Sequence, residues 1–149
     1  FSLPMFDLAL IKADIPKKPA PIQLMVASDD VLVGDGIKLF GLRDGQLYNQ
    51  YGRVTALAAI TTPTDLVTNE KREPIYNTFL TDAYGVPGFS GGVFTSLDGQ
   101  LVGVSSYMQS QNEGNTLGKV GGANIGIMMT VLNDMAIPEL RGAYNARPK

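Results

Sequence analysis

Apolar runs in this sequence are short, and glycine or proline interrupts almost every one of them, so few windows favour a helix. Glycine occurs 17 times and proline 9 times, spread along the whole chain. Short runs bounded by turn residues are typical of strands that pack into a barrel or a sandwich. We therefore predict an all-β fold, with strands at Phe6–Ile11, Ile22–Val26, Gly36–Leu42, Tyr51–Ile60, Ile75–Leu80, Gly92–Thr95, Gln100–Tyr107 and Ile125–Met129.

Turn residues between these runs suggest how they connect. Asp44-Gly45 predicts a turn after one strand. Asp98-Gly99 lies between two predicted strands and predicts a tight hairpin turn, because both residue types tolerate a positive φ. The proline-rich stretch Pro16–Pro21 predicts a stiff, extended linker. The polar, glycine-rich stretch Gln109–Gly122 predicts a mobile surface loop, and Thr130–Leu140 is the last helical candidate along the chain.

Composition excludes several classes of function. The net charge is −2, and no basic run exceeds Lys17-Lys18, so we expect no nucleic-acid partner. No apolar run approaches the roughly 18 residues of a membrane span. Cysteine and histidine are both absent, which excludes disulfides and a cysteine nucleophile and makes a metal site improbable. We predict no metal and no cofactor, and the composition leaves the cellular compartment open.

The stretch Gly88–Gly92 places a serine among glycines ahead of an apolar run. Glycine on both sides allows backbone conformations in which the N–H groups of Gly88 and Ser90 face one point. Converging donors of this kind stabilise the oxyanion that forms when a serine attacks a carbonyl. The alternative is a glycine-rich turn with an incidental serine, and the absence of a histidine base stands against catalysis.

The chain contains four stretches in a definite order: Asp7–Lys12, Val33–Gly41, Thr81–Gly92 and Val104–Tyr107. Together they resemble the chymotrypsin-like (trypsin-fold) serine proteases, especially the HtrA/DegP-type branch. The run Thr81–Gly92, followed by the hairpin around Asp98-Gly99, is similar to the nucleophile region. The other three matches are Asp7–Lys12, Val33–Gly41 and Val104–Tyr107, which resemble the aspartate strand, the strand that opens the second barrel and the substrate-pairing strand. The resemblance covers essentially Phe6 to Met129.

The resemblance implies a six-stranded antiparallel Greek-key barrel, the second barrel of a trypsin-like double barrel. We expect residues 1–15 to hold the last strand of the first barrel, 16–35 the interbarrel linker and 36–149 the second barrel with a C-terminal helix. In the family the catalytic histidine lies upstream of the aspartate strand. A chain that begins at Phe1, by processing or by design, would not contain it.

The family's roles carry over to particular residues. Ser90 is the expected nucleophile, Asp7 the residue that orients the absent histidine, and the N–H groups of Gly88 and Ser90 the oxyanion hole. The expected substrate-binding residues are Tyr84, Ser106 and Tyr107, and Ser106 is also expected to support Asp7 by a hydrogen bond. For Asp7 and Ser106 the alternatives are an ordinary strand-edge carboxylate and an ordinary strand serine.

Three positions bear on specificity and activation. Tyr84 stands at the base of the family's specificity pocket, where it offers no carboxylate to a lysine or arginine and suggests a shallow or small-to-medium apolar pocket. Phe89 replaces the family's Asp or Asn, so activation through an ion pair with a freed N-terminus is not expected. Val93 replaces the usual proline after Gly-Gly, a mild change.

These features leave two principal functions open. One is a serine endopeptidase whose histidine lies on a missing or separate upstream segment. The other is a catalytically inactive protease-fold scaffold or binding subunit. In addition to these two, a virus- or phage-encoded processing protease is a third alternative. We expect the isolated chain to be inactive, to leave Phe6, Leu8 and Leu10 exposed, and to associate with an N-terminal partner and with a peptide or protein substrate.

Overall fold

The structure is a computed structural model that describes residues 2–9, 11, 14, 16–17, 31–65, 68–86, 88–110 and 118–124. Its strands are β1 Ser2–Leu3, β2 Leu8–Ala9, β3 Gly36–Arg43, β4 Gln46–Thr61, β5 Ile75–Gly85, β6 Val93–Ser96, β7 Leu101–Ser110 and β8 Gly118–Asn124, with one short 3-10 turn at Pro4–Phe6.

Six antiparallel strands close into a barrel, in the order β3-β4-β5-β8-β7-β6. This order is a Greek key. Strands β3, β4 and β5 pair in succession, and the chain then crosses over so that β6 pairs with β3. The predicted all-β fold and the six-stranded antiparallel barrel are therefore confirmed. Closure leaves no free sheet edge along the strand sections that pair on both sides.

Local turn chemistry sets the first hairpin. Arg43 faces Gln46, and both intervening residues, Asp44 and Gly45, have positive φ angles of 51° and 75°. That combination defines a turn whose twist matches the strands it joins. In the hairpin predicted at Asp98-Gly99, only Gly99 has a positive φ, of 89°. The N–H of Ser96 closes this loop by donating to Gln100 O at 2.8 Å.

The barrel interior is filled by side chains from all of its strands. Phe79 and Phe94 are fully buried, and their rings meet edge to face with centroids 5.1 Å apart. Such a contact adds to the hydrophobic gain of burying both rings. The remaining buried apolar residues of the cluster are Val31, Ile37, Leu39, Val54, Ala83, Phe89, Val102 and Val120.

The predicted mobile loop at Gln109–Gly122 is wrong at both of its ends. Gln109 lies in β7, and Gly118–Asn124 form β8, which is almost entirely buried between β5 and β7. Its glycines provide room for rings from other strands: a Cβ on Gly122 would lie 2.5 Å from Phe79 Cζ. Glycine in a strand often marks such a close approach, and this strand supplies the sixth member of the barrel.

Three predicted strands differ most from those of the structure. β4 begins at Gln46 instead of Tyr51. β5 continues to Gly85 instead of ending at Leu80, because Thr81, Ala83 and Gly85 alternate inward along it. Among the described residues of the predicted strand Phe6–Ile11, only Leu8–Ala9 form a strand, and it pairs with Ser2–Leu3. The predicted strands Ile22–Val26 and Ile125–Met129, the helix Thr130–Leu140 and most of the linker lie outside the described residues.

The N-terminal segment packs against the barrel of this same chain. Leu8 is only 5% exposed, and the turn Pro4–Phe6 lies against β5. The expectation that Leu8 would be exposed is therefore wrong, and Phe6 is half-buried, while Leu10 lies outside the described residues. The packing of Leu8 removes an apolar side chain from water without a second chain.

Candidate active site

Asp7 occupies a turn immediately before β2. Its backbone has a positive φ of 52°, a conformation that aspartate tolerates better than most residues, and its N–H donates to Pro4 O at 3.0 Å. The exposed carboxylate accepts a short hydrogen bond from the hydroxyl of Ser106. Because Ser106 is 5% exposed and lies in β7, this contact fixes the aspartate against the barrel wall.

Ser90 lies on an exposed turn that β7 holds from the other side. Gly91 N donates to Ser105 O at 2.9 Å, and Ser105 N donates to Gly92 O at 2.8 Å. Two consecutive residues of β7 thus contact the two predicted catalytic segments: Ser105 binds the loop of Ser90, and Ser106 binds Asp7. The two segments lie far apart in sequence, and both are attached to β7.

The loop around Ser90 keeps two N–H groups available. Gly88 has a φ of 106°, which only glycine adopts readily, and Phe89 N donates to Val86 O at 3.2 Å. Within the described part of the chain, neither Gly88 N nor Ser90 N has an acceptor. An anion-binding loop requires backbone N–H groups that are close in sequence and have no acceptor within the protein.

The predicted substrate-binding residues occupy different places. Tyr84 lies on β5 opposite Lys119 and is 40% exposed. Tyr107 lies on β7, where its ring covers Gly121 so closely that a Cβ there would lie 2.1 Å from the ring. Its hydroxyl lies 3.3 Å from Thr78 Oγ1. The Tyr107 side chain therefore packs against β8 and β5, whereas the Tyr84 side chain is partly exposed to solvent.

Gly85, the residue after Tyr84, faces the opposite side of β5. Its Cα is closely packed: a Cβ on it would lie 2.6 Å from Val120 Cγ2 and 3.8 Å from Met108 Sδ. Because Gly85 and Val120 are buried in the barrel interior while Tyr84 is exposed, these contacts belong to the core and do not line the surface beside Tyr84.

Among the described residues, one cavity lies beside the hairpin between β6 and β7. It measures about 200 Å³ and contains none of the predicted site residues; it is lined by Val31, Asp35, Gly36, Ile37, Ser96, Leu97, Asp98 and Val102. Among the described residues, no group of acidic side chains is placed to hold a metal ion. In the same part of the chain, no helix has the length and apolar character to cross a membrane.

Several solved structures that share this architecture are described as proteases, as a protease domain or as a chymotrypsin. The chain superposes on HtrA-type protease AlgW with a tripeptide at a TM-score of 0.59, with 23% identity over 85% of this chain and 38% of that one. For the MamO protease domain from Magnetospirillum magneticum the TM-score is 0.60, with 20% identity over 87% and 64%. For Cellulomonas bogoriensis chymotrypsin it is 0.54, with 20% identity over 75% and 52%.

The chain spans a little over a third of the AlgW chain that it matches. Neither a protein-family model nor a curated protein matches the sequence. The similarity is therefore one of architecture, and the predicted resemblance is confirmed at that level. The described part of this chain forms one six-stranded barrel of the trypsin-like type, the architecture that it shares with the solved HtrA-type protease and chymotrypsin.

Proposed function

We propose that this chain is the serine- and aspartate-bearing part of a serine endopeptidase whose histidine is supplied by an upstream or separate segment. The observation that carries the proposal is the attachment of Asp7 and the Ser90 loop to consecutive residues of β7, Ser106 and Ser105. A histidine that reaches both Asp7 and Ser90 completes a triad. The chain itself has no histidine.

In the proposed reaction, Ser90 Oγ attacks the peptide carbonyl carbon as its proton passes to the imidazole of the supplied histidine. The oxyanion is held by Gly88 N–H and Ser90 N–H, and one such donor contributes about 3 kcal/mol to the transition state. The C–N bond then breaks, the imidazolium gives its proton to the leaving amine, and water hydrolyses the acyl-enzyme in the second half. Asp7 holds the imidazole in the required tautomer.

The proposed substrate has a small or medium apolar side chain before the cleaved bond. Tyr84 carries no charge to pair with lysine or arginine, and Lys119 stands opposite it on β8.

Labelling with a fluorophosphonate tests this proposal. The chain is produced together with the natural sequence upstream of Phe1, and the adduct is located by intact mass and peptide mapping. We expect one adduct on Ser90, its loss in Ser90→Ala, and its retention in Ser96→Ala, a matched serine in the β6–β7 hairpin. Absence of an adduct with the upstream segment present would contradict catalysis.

The second candidate, a non-catalytic scaffold or binding subunit, is favoured by the absence of histidine. It predicts that the upstream sequence also lacks a histidine in a first barrel. The upstream sequence also tests the proposed domain assignment, in which residues 1–15 belong to a first barrel and residues 16–35 form a linker. A histidine-bearing barrel upstream would support the enzyme and would itself be the proposed N-terminal partner.

A further inference from the structure

Phe89, between Gly88 and Ser90, points into the protein. It is only 7% exposed and belongs to the buried core. Its ring lies against two glycines on the strands that flank β4: a Cβ on Gly41 of β3 would lie 2.8 Å from the ring, and one on Gly85 of β5 would lie 3.1 Å from it. Any side chain at either glycine would occupy the space that the Phe89 ring now fills.

Tyr48, on β4, borders the same slot. Its ring centroid lies 6.1 Å from that of Phe89, with the planes inclined by 33°. Tyr48 is 43% exposed, so it covers the Phe89 ring on the solvent side. The slot formed by Gly41, Gly85 and Tyr48 thus joins three consecutive strands of the barrel to a single side chain of the loop.

The backbone contacts of the loop explain why this side chain matters. The part after Ser90 is bound to β7 through Gly91 and Gly92. The part before it has two described backbone bonds, and both lie within the loop: Phe89 N donates to Val86 O, and Gly92 N donates to Phe89 O. The Phe89 ring is therefore the principal attachment to the barrel of the half that carries Gly88 N–H.

We propose that Phe89 is a positioning residue: an apolar anchor that holds the loop with Gly88 N–H and Ser90 in a fixed arrangement. The inference rests on the proposed function, and it deepens it by stating how the site is kept in order. Aspartate or asparagine occupies this position in the proteases that the sequence resembles. An apolar anchor needs neither a charged partner nor a freed N-terminus, and salt does not screen it.

Four variants separate anchoring from other effects. Phe89→Ala empties the slot, and Phe89→Leu refills most of it. Gly41→Ala leaves Phe89 in place but puts a methyl group where its ring lies. Gly36→Ala, on the same strand β3, is the matched control, because its Cβ would meet only the flexible side chain of Leu97, at 2.7 Å from Cδ1.

Two measurements are made on the full chain together with its upstream segment. Hydrogen–deuterium exchange follows the hydrogen-bonded loop amides of Phe89, Gly91 and Gly92, and fluorophosphonate labelling follows the reactivity of Ser90. For Phe89→Ala and Gly41→Ala we expect exchange about tenfold faster, the change that corresponds to about 1.4 kcal/mol, and labelling slower by at least the same factor. Phe89→Leu should recover most of both, and Gly36→Ala should change neither.

The outcomes keep the anchor and the proposed function apart. If wild-type protein is not labelled but loop exchange responds to Phe89→Ala, the proposed function fails and the anchor stands. If Phe89→Ala is labelled at the wild-type rate and its loop exchanges at the wild-type rate, the anchor is refuted. Should Phe89→Ala fail to fold, the pair Gly41→Ala and Phe89→Leu decides: unchanged exchange and labelling in Gly41→Ala overturn the proposal.

Discussion

The hydrogen bond between Ser106 and Asp7 is the contact that joins the N-terminal segment to the candidate site. Ser106→Ala removes its donor without adding volume, and Asp7→Ala removes its acceptor. Asp7→Ala also places alanine at a φ of 52°, which costs about 1 kcal/mol by itself. A double-mutant cycle cancels this strain, because it enters both variants that carry the Asp7 change.

The expected coupling follows from the surroundings of the two groups. A hydrogen bond to a charged group contributes about 1.5–3 kcal/mol to stability. Ser106 is 5% exposed, whereas Asp7 is exposed and water can hydrate the freed carboxylate. We therefore expect a coupling free energy at the lower limit, about 1–1.5 kcal/mol, and a similar loss for Ser106→Ala alone.

Urea unfolding of the four members of the cycle measures this coupling. With m between about 1 and 3 kcal/mol/M, the Ser106→Ala midpoint should fall by roughly 0.3–1.5 M. Ser96→Ala is the matched control: its hydroxyl accepts from Gln100 N at 3.1 Å in another hairpin, so it should not couple with Asp7→Ala. A Ser106–Asp7 coupling below about 0.3 kcal/mol, the usual error of additivity, would refute the reasoning.

Three further predictions concern the barrel that carries the site. Gly122→Ala should lower the free energy of unfolding by about 1–3 kcal/mol because its Cβ would overlap Phe79, and Phe79→Leu should recover part of this loss in the double variant by thermal unfolding; additive losses would contradict the close contact. Thr81→Val should cost about 1–3 kcal/mol in urea, because Thr81 is fully buried and donates to Val120 O at 2.8 Å; an unchanged midpoint would show that the carbonyl finds another donor. Gly99→Ala should cost about 1 kcal/mol from its φ of 89° alone, with nothing within 4 Å of the new methyl group, so Gly99→Asn should be milder by the same measurement, and equal losses would argue against backbone strain.

Patterns of adjacent residues in the sequence were sufficient to predict the positions of most of the barrel strands. Gly36–Leu42 and Gln100–Tyr107 were placed within a few residues of β3 and β7. Each is an apolar run bounded by a turn, and such signals depend only on adjacent residues. The turn at Asp44-Gly45 followed for the same reason, since it depends on the φ angles of two residues.

β8 could not be predicted in this way. Its stretch Gly118–Asn124 has no large apolar side chains of its own except Val120. Its glycines are stabilising there because Phe79 and Tyr107, from two other strands, occupy the space above them. The end of β5 was missed for a related reason: Thr81 is polar, and its burial is tolerated only because Val120 O accepts its hydroxyl proton.

The sequence by itself determined that the chain is all-β, which runs form most of the barrel strands, and that Ser90 lies in a glycine loop with conformational freedom. Tertiary structure alone decided that β7 holds Asp7 and the Ser90 loop at consecutive residues, and that Phe89 enters a slot between Gly41 and Gly85. The physical reason is one of range. Strand patterns and turn angles arise from neighbouring residues, whereas a site and its anchor depend on which distant strands the closed barrel places side by side.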